Sequence, residues 1–277
     1  MCMPRTNPSS ATASTAASSP PEPPPGGLCA IHQPNFFPRL STLAKLFAAD
    51  YWIVLDDVQF TRRDYQHRAR LAALNDPADR RWLSIPTHLP HGRQTLIRDA
   101  VMAEPAQSQR RTARVLRQHY GTSPHWSALQ QALVPVLDSF TNSSRTAAIA
   151  EASTQALLGL LGWKGRTLHS SGLPARPQRS QRLADLTATV GARGYLCGSG
   201  GMTYLDHSAF TGQEIEVIRF RPPQAGAWGF SRELSALWSL MRMGLPAVAN
   251  ALQHMSAELD GHLAEQGSAP GLGCRHA

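Results

Sequence analysis

The run Tyr51–Leu55, YWIVL, constrains this chain more than any other feature. Five consecutive β-prone apolar residues leave no polar face. The segment reads as a strand buried on both sides. A second apolar run, Leu28–His32 (LCAIH), stands upstream, and between the two Leu40–Ala49 carries apolar residues at helical spacing. Strand, helix and strand in that order predict a parallel pair, because a crossover helix returns the chain to the same end of the sheet. Parallel sheets need helices on both faces, so the fold class expected is α/β.

The rest of the chain extends this pattern. Trp82–Ile85 and Ile97–Met102 read as short strands joined by a loop with Pro86, Pro90 and Gly92. Helical periodicity then takes over in Ser108–Tyr120, Ser127–Phe140 and Arg145–Leu161, with Gly162 as a stop. Arg166–Ser170 reads as a strand, Ser180–Val190 as a helix, and Gly194–Cys197 and Ile215–Phe220 as strands. The last helix expected is near Glu233–Met243. The architecture predicted is a mainly parallel sheet flanked by helices, with a helical insertion at about 105–162, in one α/β domain over 28–265. Residues 1–27 are Ser, Thr, Ala and Pro with little to bury, so a disordered tail is expected there, and a loose Gly-rich tail over 266–277. The first segment lacks the continuous apolar core of a secretory signal.

Composition narrows the function. No window offers ~18 uninterrupted apolar residues, so no membrane span is expected. Cys2, Cys29, Cys197 and Cys274 have neither disulfide nor metal spacing, which predicts a reducing cytoplasm and no metal site. The net charge of +8 is carried almost wholly by arginine, the only lysines being Lys45 and Lys164. Such a balance suits an anionic ligand, or reflects GC-rich coding. No nucleic-acid motif accompanies it, so nucleic acid is not expected as a partner.

Polar residues gather where strands give way to loops, and in α/β proteins ligands bind at the carboxyl ends of strands. His32, Gln33 and Asn35 follow the first strand. An imidazole there can act as a base, donate to a phosphate, or hold a backbone. Asp56, Asp57 and Gln59 follow YWIVL. Neighbours on an extended strand face opposite sides, so the two aspartates do not form a close dyad. One can orient His32 or His67, bind an amine, or buttress the loop. Arg62, Arg63, His67, Arg68 and Arg70, with Tyr65, form a cationic run that is either a solvated face or an anion site, since guanidinium matches carboxylate and phosphate bidentately. The loop Cys197, Gly198, Ser199, Gly200, Gly201 follows a strand and lets backbone N–H groups approach an anion, or makes a plain turn. It lacks the lysine of a P-loop and the dinucleotide fingerprint. Cys197 and Ser199 are conceivable nucleophiles, although Cys197 stands where a hydrolase elbow has glycine.

Taken together, HQPNFFP (His32–Pro38), LDDVQFTRR (Leu55–Arg63), QHR (Gln66–Arg68), WLSIP (Trp82–Pro86) and YLCGSGGMTYLD (Tyr195–Asp206) resemble the WbqC-like family. Members occur in bacterial O-antigen, other polysaccharide and natural-product gene clusters. The resemblance implies an aminoacyl or acyl (glycyl-type) transfer to a sugar or small metabolite. His32 would then be the general base and Asp56 or Asp57 its partner or the acceptor site. Arg63 and Arg68 would hold a small-molecule or carrier-bound anionic donor, and the Cys197–Gly201 loop would line the same pocket. The chain departs from the pattern at Pro222 and Trp238. No cofactor and no oligomeric state follows from it. Two alternatives stay open. One is a non-catalytic basic module for a nucleotide-sugar, carrier or RNA, and the other is a thiol enzyme using Cys197.

Overall fold

The two apolar runs form strands β1 (Leu28–His32) and β2 (Tyr51–Val54), joined by helix α1 (Leu40–Phe47) and paired in parallel with Ile31 opposite Ile53. A computed structural model describes residues 27–267 of the chain. The predicted tails fall outside that range except for Gly27 and residues 266–267. In chain order there follow β3 (Arg68–Ala72), β4 (Arg80–Ser84), β5 (Thr87–His88), β6 (Val101–Met102) and helices α2 (Pro105–Tyr120), α3 (Trp126–Ala132), α4 (Val134–Asn142) and α5 (Thr146–Leu160). The chain continues through β7 (Arg166–His169), α6 (Arg179–Thr189), β8 (Gly194–Gly198), α7 (Ser199–Met202), α8 (Ser208–Thr211), β9 (Glu216–Phe220), α9 (Ala236–Met243) and α10 (Leu245–Gly267).

The main sheet has the order β7-β2-β1-β8-β9, with every pair parallel. It is built outward from β1. The chain lays β2 and then β7 on one side, crosses back, and lays β8 and β9 on the other. The strand order therefore reverses between β1 and β8, and at such a point the loops leave in opposite directions and open a crevice at the carboxyl ends.

Both faces of the sheet are covered, as the continuous apolar strands require. Leu28, Ala30, Trp52 and Val54 pack with α1, α5, α9 and α10 in the larger core. Cys29, Ile31, Tyr51 and Ile53 pack with α6 and α8 in the second. The helical insertion α2–α5 lies between β6 and β7, where the periodicity places it. Gly162 ends it with a φ of 87°, a left-handed position that glycine takes without Cβ strain.

Two local details differ from the sequence expectation. The stretch expected as a strand over Ile97–Met102 is a 3₁₀ turn, Ile97–Asp99, followed by the two-residue β6. Its Asp99 and Ala100 amides donate to the Leu96 and Ile97 carbonyls three residues back rather than to a ladder. Beyond Met243, past the last helix expected from the sequence, the chain forms α10. Gly244, at φ 92°, turns the chain, and Pro246 sits in the first turn of the new helix, where its missing N–H costs nothing.

Candidate functional site

A cleft of about 370 Å³ opens where β1 and β8 part. His32 ends β1 and lines one wall. Lys45 and Thr42 of α1 line the next, with Arg39 at the helix's N-terminal boundary. The segment Cys197–Gly201, running from β8 into α7, lines the third, and Arg232 closes the mouth. Arg232 is far away in sequence. It arrives because Ser41 and Ala236 donate backbone N–H bonds to Ser231 and Pro38 across an isolated Arg39–Ser235 bridge.

Arg39, Lys45 and Arg232 all line the cleft, and among the described residues no carboxylate does. Arg39 donates to the Arg232 carbonyl at 3.0 Å and stacks 4.3 Å over the Tyr65 ring. Lys45 is 7% exposed, and its Nζ donates to the Ile31 carbonyl at 3.4 Å. Burial pulls this amine down to about 8, against a smaller opposing pull from the Cys197 and Cys29 thiols. Burial in turn pushes the Cys29 thiol up to about 12 and raises that of Cys197, so both stay protonated at neutral pH.

His32 has a fixed tautomer. Its Nδ1 lies 2.7 Å from the Gln33 carbonyl, which can only accept, so Nδ1 carries the hydrogen and Nε2 is the free acceptor. Burial and then the Lys45 charge push this imidazole down to about 3, so it is neutral at physiological pH. The following loop is strained. Phe37 is fully buried at φ 43°, held by an N–H bond to Ser153 Oγ at 2.8 Å.

The aspartates do different work. Asp56 accepts from Ser170 Oγ (3.1 Å), Ser171 N (3.1 Å) and Ser171 Oγ (2.8 Å). Asp57 accepts from Ser170 Oγ and pairs with Arg182 of α6. Burial alone would raise the Asp57 carboxyl, but the Ser170 and Arg182 contacts outweigh it and hold it below the usual range. The pair thus ties the end of β2 to the segment after β7. Neither residue lines the cleft.

The other predicted residues hold loops. Gln33 Oε1 accepts from Gln66 Nε2 at 2.7 Å. The carbonyl of buried Asn35 accepts from Thr154 Oγ1 at 2.9 Å, and Gln59 donates to the Arg93 carbonyl. Arg63 is exposed, and its carbonyl accepts from the Arg68 guanidinium, which itself lies 4.3 Å over the Trp82 ring. His67 packs on Phe60, and burial, then Arg68 and Arg62, push it down to about 4. The structure thus gathers His32, Cys197, Gly198, Ser199, Gly200 and Gly201 in one cleft, while Gln33, Asn35, Asp56, Asp57, Gln59, Arg63, His67 and Arg68 lie outside its lining. Sequence reasoning missed Arg39, Lys45 and Arg232. Lys45 did leave a signal, a charge set among Leu43, Ala44, Leu46 and Phe47 on a helix face that buries.

Among the described residues no group of three or more His, Cys, Asp or Glu converges as a metal site would require. No helix there is long and apolar enough to cross a membrane. A model of the WbqC-like protein family matches residues 33–250, a span that begins one residue after His32 and ends within α10. The chain is also similar to the uncharacterized protein Rv1507c of Mycobacterium tuberculosis, at 24% identity over 193 residues, covering 69% of this chain and 80% of that protein. No solved structure matches it.

Proposed function

Starting from the premise that the chain belongs to the WbqC-like protein family, we propose that it is an aminoacyl or acyl (glycyl-type) transferase that takes its donor by an anionic group in the β1/β8 cleft. The acceptor is a sugar or small metabolite of bacterial polysaccharide or natural-product biosynthesis. One observation supports this reading: three cationic residues, Arg39, Lys45 and Arg232, line one cleft that no carboxylate lines among the described residues. Guanidinium groups take phosphate or carboxylate in a fork, and the glycine-rich Gly198–Gly201 segment adds backbone close to the same point.

His32 offers Nε2 to the acceptor's N–H or O–H. Burial first, and the Lys45 charge second, make a proton on His32 costly. A bound anion offsets that cation and raises the imidazole toward the range in which it can act as a base. Asp56 and Asp57 act at one remove, by fixing the loop after β2 against Ser170 and Arg182. Arg63 and Arg68 stand outside the cleft, so they would meet a carrier-bound donor and not a small one.

The low basicity of His32 favours one second reading, a non-catalytic anion-binding module. Burial disfavours the thiol alternative, because it raises Cys197 and thiolate is the nucleophilic form. Thermal shifts with inorganic pyrophosphate, nucleotide-sugars and acyl-nucleotides test the anion site. At a hundredfold excess over Kd, a ligand adds about 2.7 kcal/mol of stability, a rise of several degrees in Tm. Arg39→Ala with Arg232→Ala removes the rise. No shift with any anion rejects the site. With a ligand in hand, His32→Gln separates the two readings. A transferase loses about two orders of magnitude in turnover, while a binding module keeps its affinity.

A further inference from the structure

Lysine is scarce in this chain, and Lys45 stands where lysine is least expected. Its neighbours on α1, Leu43, Ala44, Leu46 and Phe47, are all buried. Its Nζ has a single long hydrogen bond, 3.4 Å to the Ile31 carbonyl. His32, Arg39 and Arg232 line the same cleft, the thiols of Cys29 and Cys197 lie within electrostatic reach, and among the described residues no carboxylate lines the cleft to act as its counter-ion. An ammonium so placed is disfavoured by desolvation, which outweighs the opposing pull of the two thiols and favours the free amine. A fall to about 8 frees on the order of a hundredfold more amine at neutral pH than an ordinary lysine offers.

A free amine on a cleft wall is a nucleophile, and the electrophile it captures reversibly is a carbonyl carbon. The other cleft groups complete the requirement. Arg39 and Arg232 are fixed cations for an anionic tail. The imidazole of His32, with Nδ1 tied and Nε2 open, can relay the protons that dehydration needs. We propose that Lys45 is a covalent carbonyl-binding site, whose amine forms an imine with an aldehyde or ketone bearing a phosphate or carboxylate. The nitrogen lone pair forms the C–N bond as the carbonyl π pair moves to oxygen, and a proton passes from nitrogen to that oxygen to give a carbinolamine. The C–O bond then breaks, the oxygen leaves as water, and the nitrogen keeps a double bond to carbon with no change in redox state. This inference rests on the cleft being an anion site.

Pyridoxal 5′-phosphate is a suitable probe, since it joins an aldehyde to a phosphate. The full chain is incubated with it near neutral pH, reduced with borohydride to fix any imine, and digested for peptide mapping. Lys164 and the α-amine serve as internal controls in the same molecule. The expected result is labelling of Lys45 over Lys164 by about tenfold or more, as free-amine fractions dictate. Inorganic phosphate should suppress it, and Lys45→Met should abolish it. Labelling of Lys164 with none at Lys45 overturns the proposal, and this mapping needs no variant to fold. An adduct at Lys45 that phosphate does not suppress, and that pyridoxal forms equally well, keeps the reactive amine and rejects the anion site. Phosphate-induced thermal shifts without a Lys45 adduct reject the imine and keep the anion site.

Discussion

Gly201 shows how tightly the cleft wall is packed at the level of single atoms. A Cβ built on it would lie 2.8 Å from Cys197 Sγ, closer than carbon and sulfur tolerate. The sulfur is confined, since Cys197 is 1% exposed and packs in the second core. Gly201→Ala should therefore destabilise the fold by about 1–3 kcal/mol, the usual range for forced overpacking. Adding Cys197→Ala removes the sulfur and should restore most of the loss, leaving only the cost of the small cavity. A urea-denaturation double-mutant cycle checks this, because residues in contact are non-additive. Additive effects would mean that Gly201 is needed for some reason other than Sγ. The cycle bears on function as well. It asks whether the thiol is a packing atom of the glycine-rich segment, which is the role its raised pKa already favours.

At the level of elements, the β3–β4 ribbon contrasts with the main sheet. Its outward register sets Arg68 opposite Ser84 and Arg70 opposite Trp82, so guanidinium and indole share one face. Arg68 lies 4.3 Å and Arg70 5.6 Å from the Trp82 ring, and Tyr65 completes the cluster at 5.7 Å. Trp82 remains 40% exposed, whereas Trp52 in β2 is fully buried. The same substitution should then cost very different amounts. Trp52→Ala opens a cavity in the larger core and should lose about 3–5 kcal/mol. Trp82→Ala gives up exposed cation–π contacts worth about 0.5–1 kcal/mol each and should lose about 1–2 kcal/mol in all. Chemical denaturation measures both, and equal losses would show that the ribbon is core. This contrast also explains what could be read from the sequence. The buried strands announce themselves, because YWIVL and LCAIH can sit nowhere but inside, and the alternation of Arg68, Ala69, Arg70 and Leu71 marks a half-buried strand. Helix α10 was hidden behind Gly244 and Pro246, two residues that usually end helices and here begin one. Of the cleft, His32 and the Cys197–Gly201 segment were legible because each ends a strand that periodicity finds. Arg232 was not, since only the tertiary bridge at Arg39 and Ser235 brings it there.

The whole molecule is basic, with a net charge of +8, yet several of its buried or half-buried titratable groups are shifted toward their uncharged forms. His32 is held down to about 3 and His67 to about 4, in each case by burial first and neighbouring cations second. His119 is lowered by burial and by Arg81. In the unfolded chain such histidines protonate near 6.5. Between that value and the folded one, the unfolded state binds more protons, so stability rises with pH across the window and is complete above it. Lowering the pH from about 6.5 toward 4 should therefore destabilise the protein, by up to about 1.4 kcal/mol per pH unit for His32 and by less for the half-buried His67 and the more exposed His119, whose charges water screens. Asp57, lowered by Ser170 and Arg182 against the effect of burial, extends the loss at still lower pH, where the unfolded carboxyl protonates first. The opposite limb starts higher. The Cys29 thiol is raised to about 12 and Cys197 is raised too, so the folded state keeps these protons after the unfolded one has released them, and this lowers stability at alkaline pH against an opposing rise from the lowered Lys45 amine. The molecule should thus be most stable between neutral and mildly alkaline pH. Urea midpoints at constant ionic strength check this, read from about pH 7.5 down to 5. His67→Gln should flatten the acid limb by the share of one histidine without moving its onset, since Gln carries no proton to gain. A midpoint that holds steady or climbs as the pH falls through this window would mean that the imidazoles are charged in the fold. Neither the neutral His32 beside Lys45 nor the cleft electrostatics built on it could then stand.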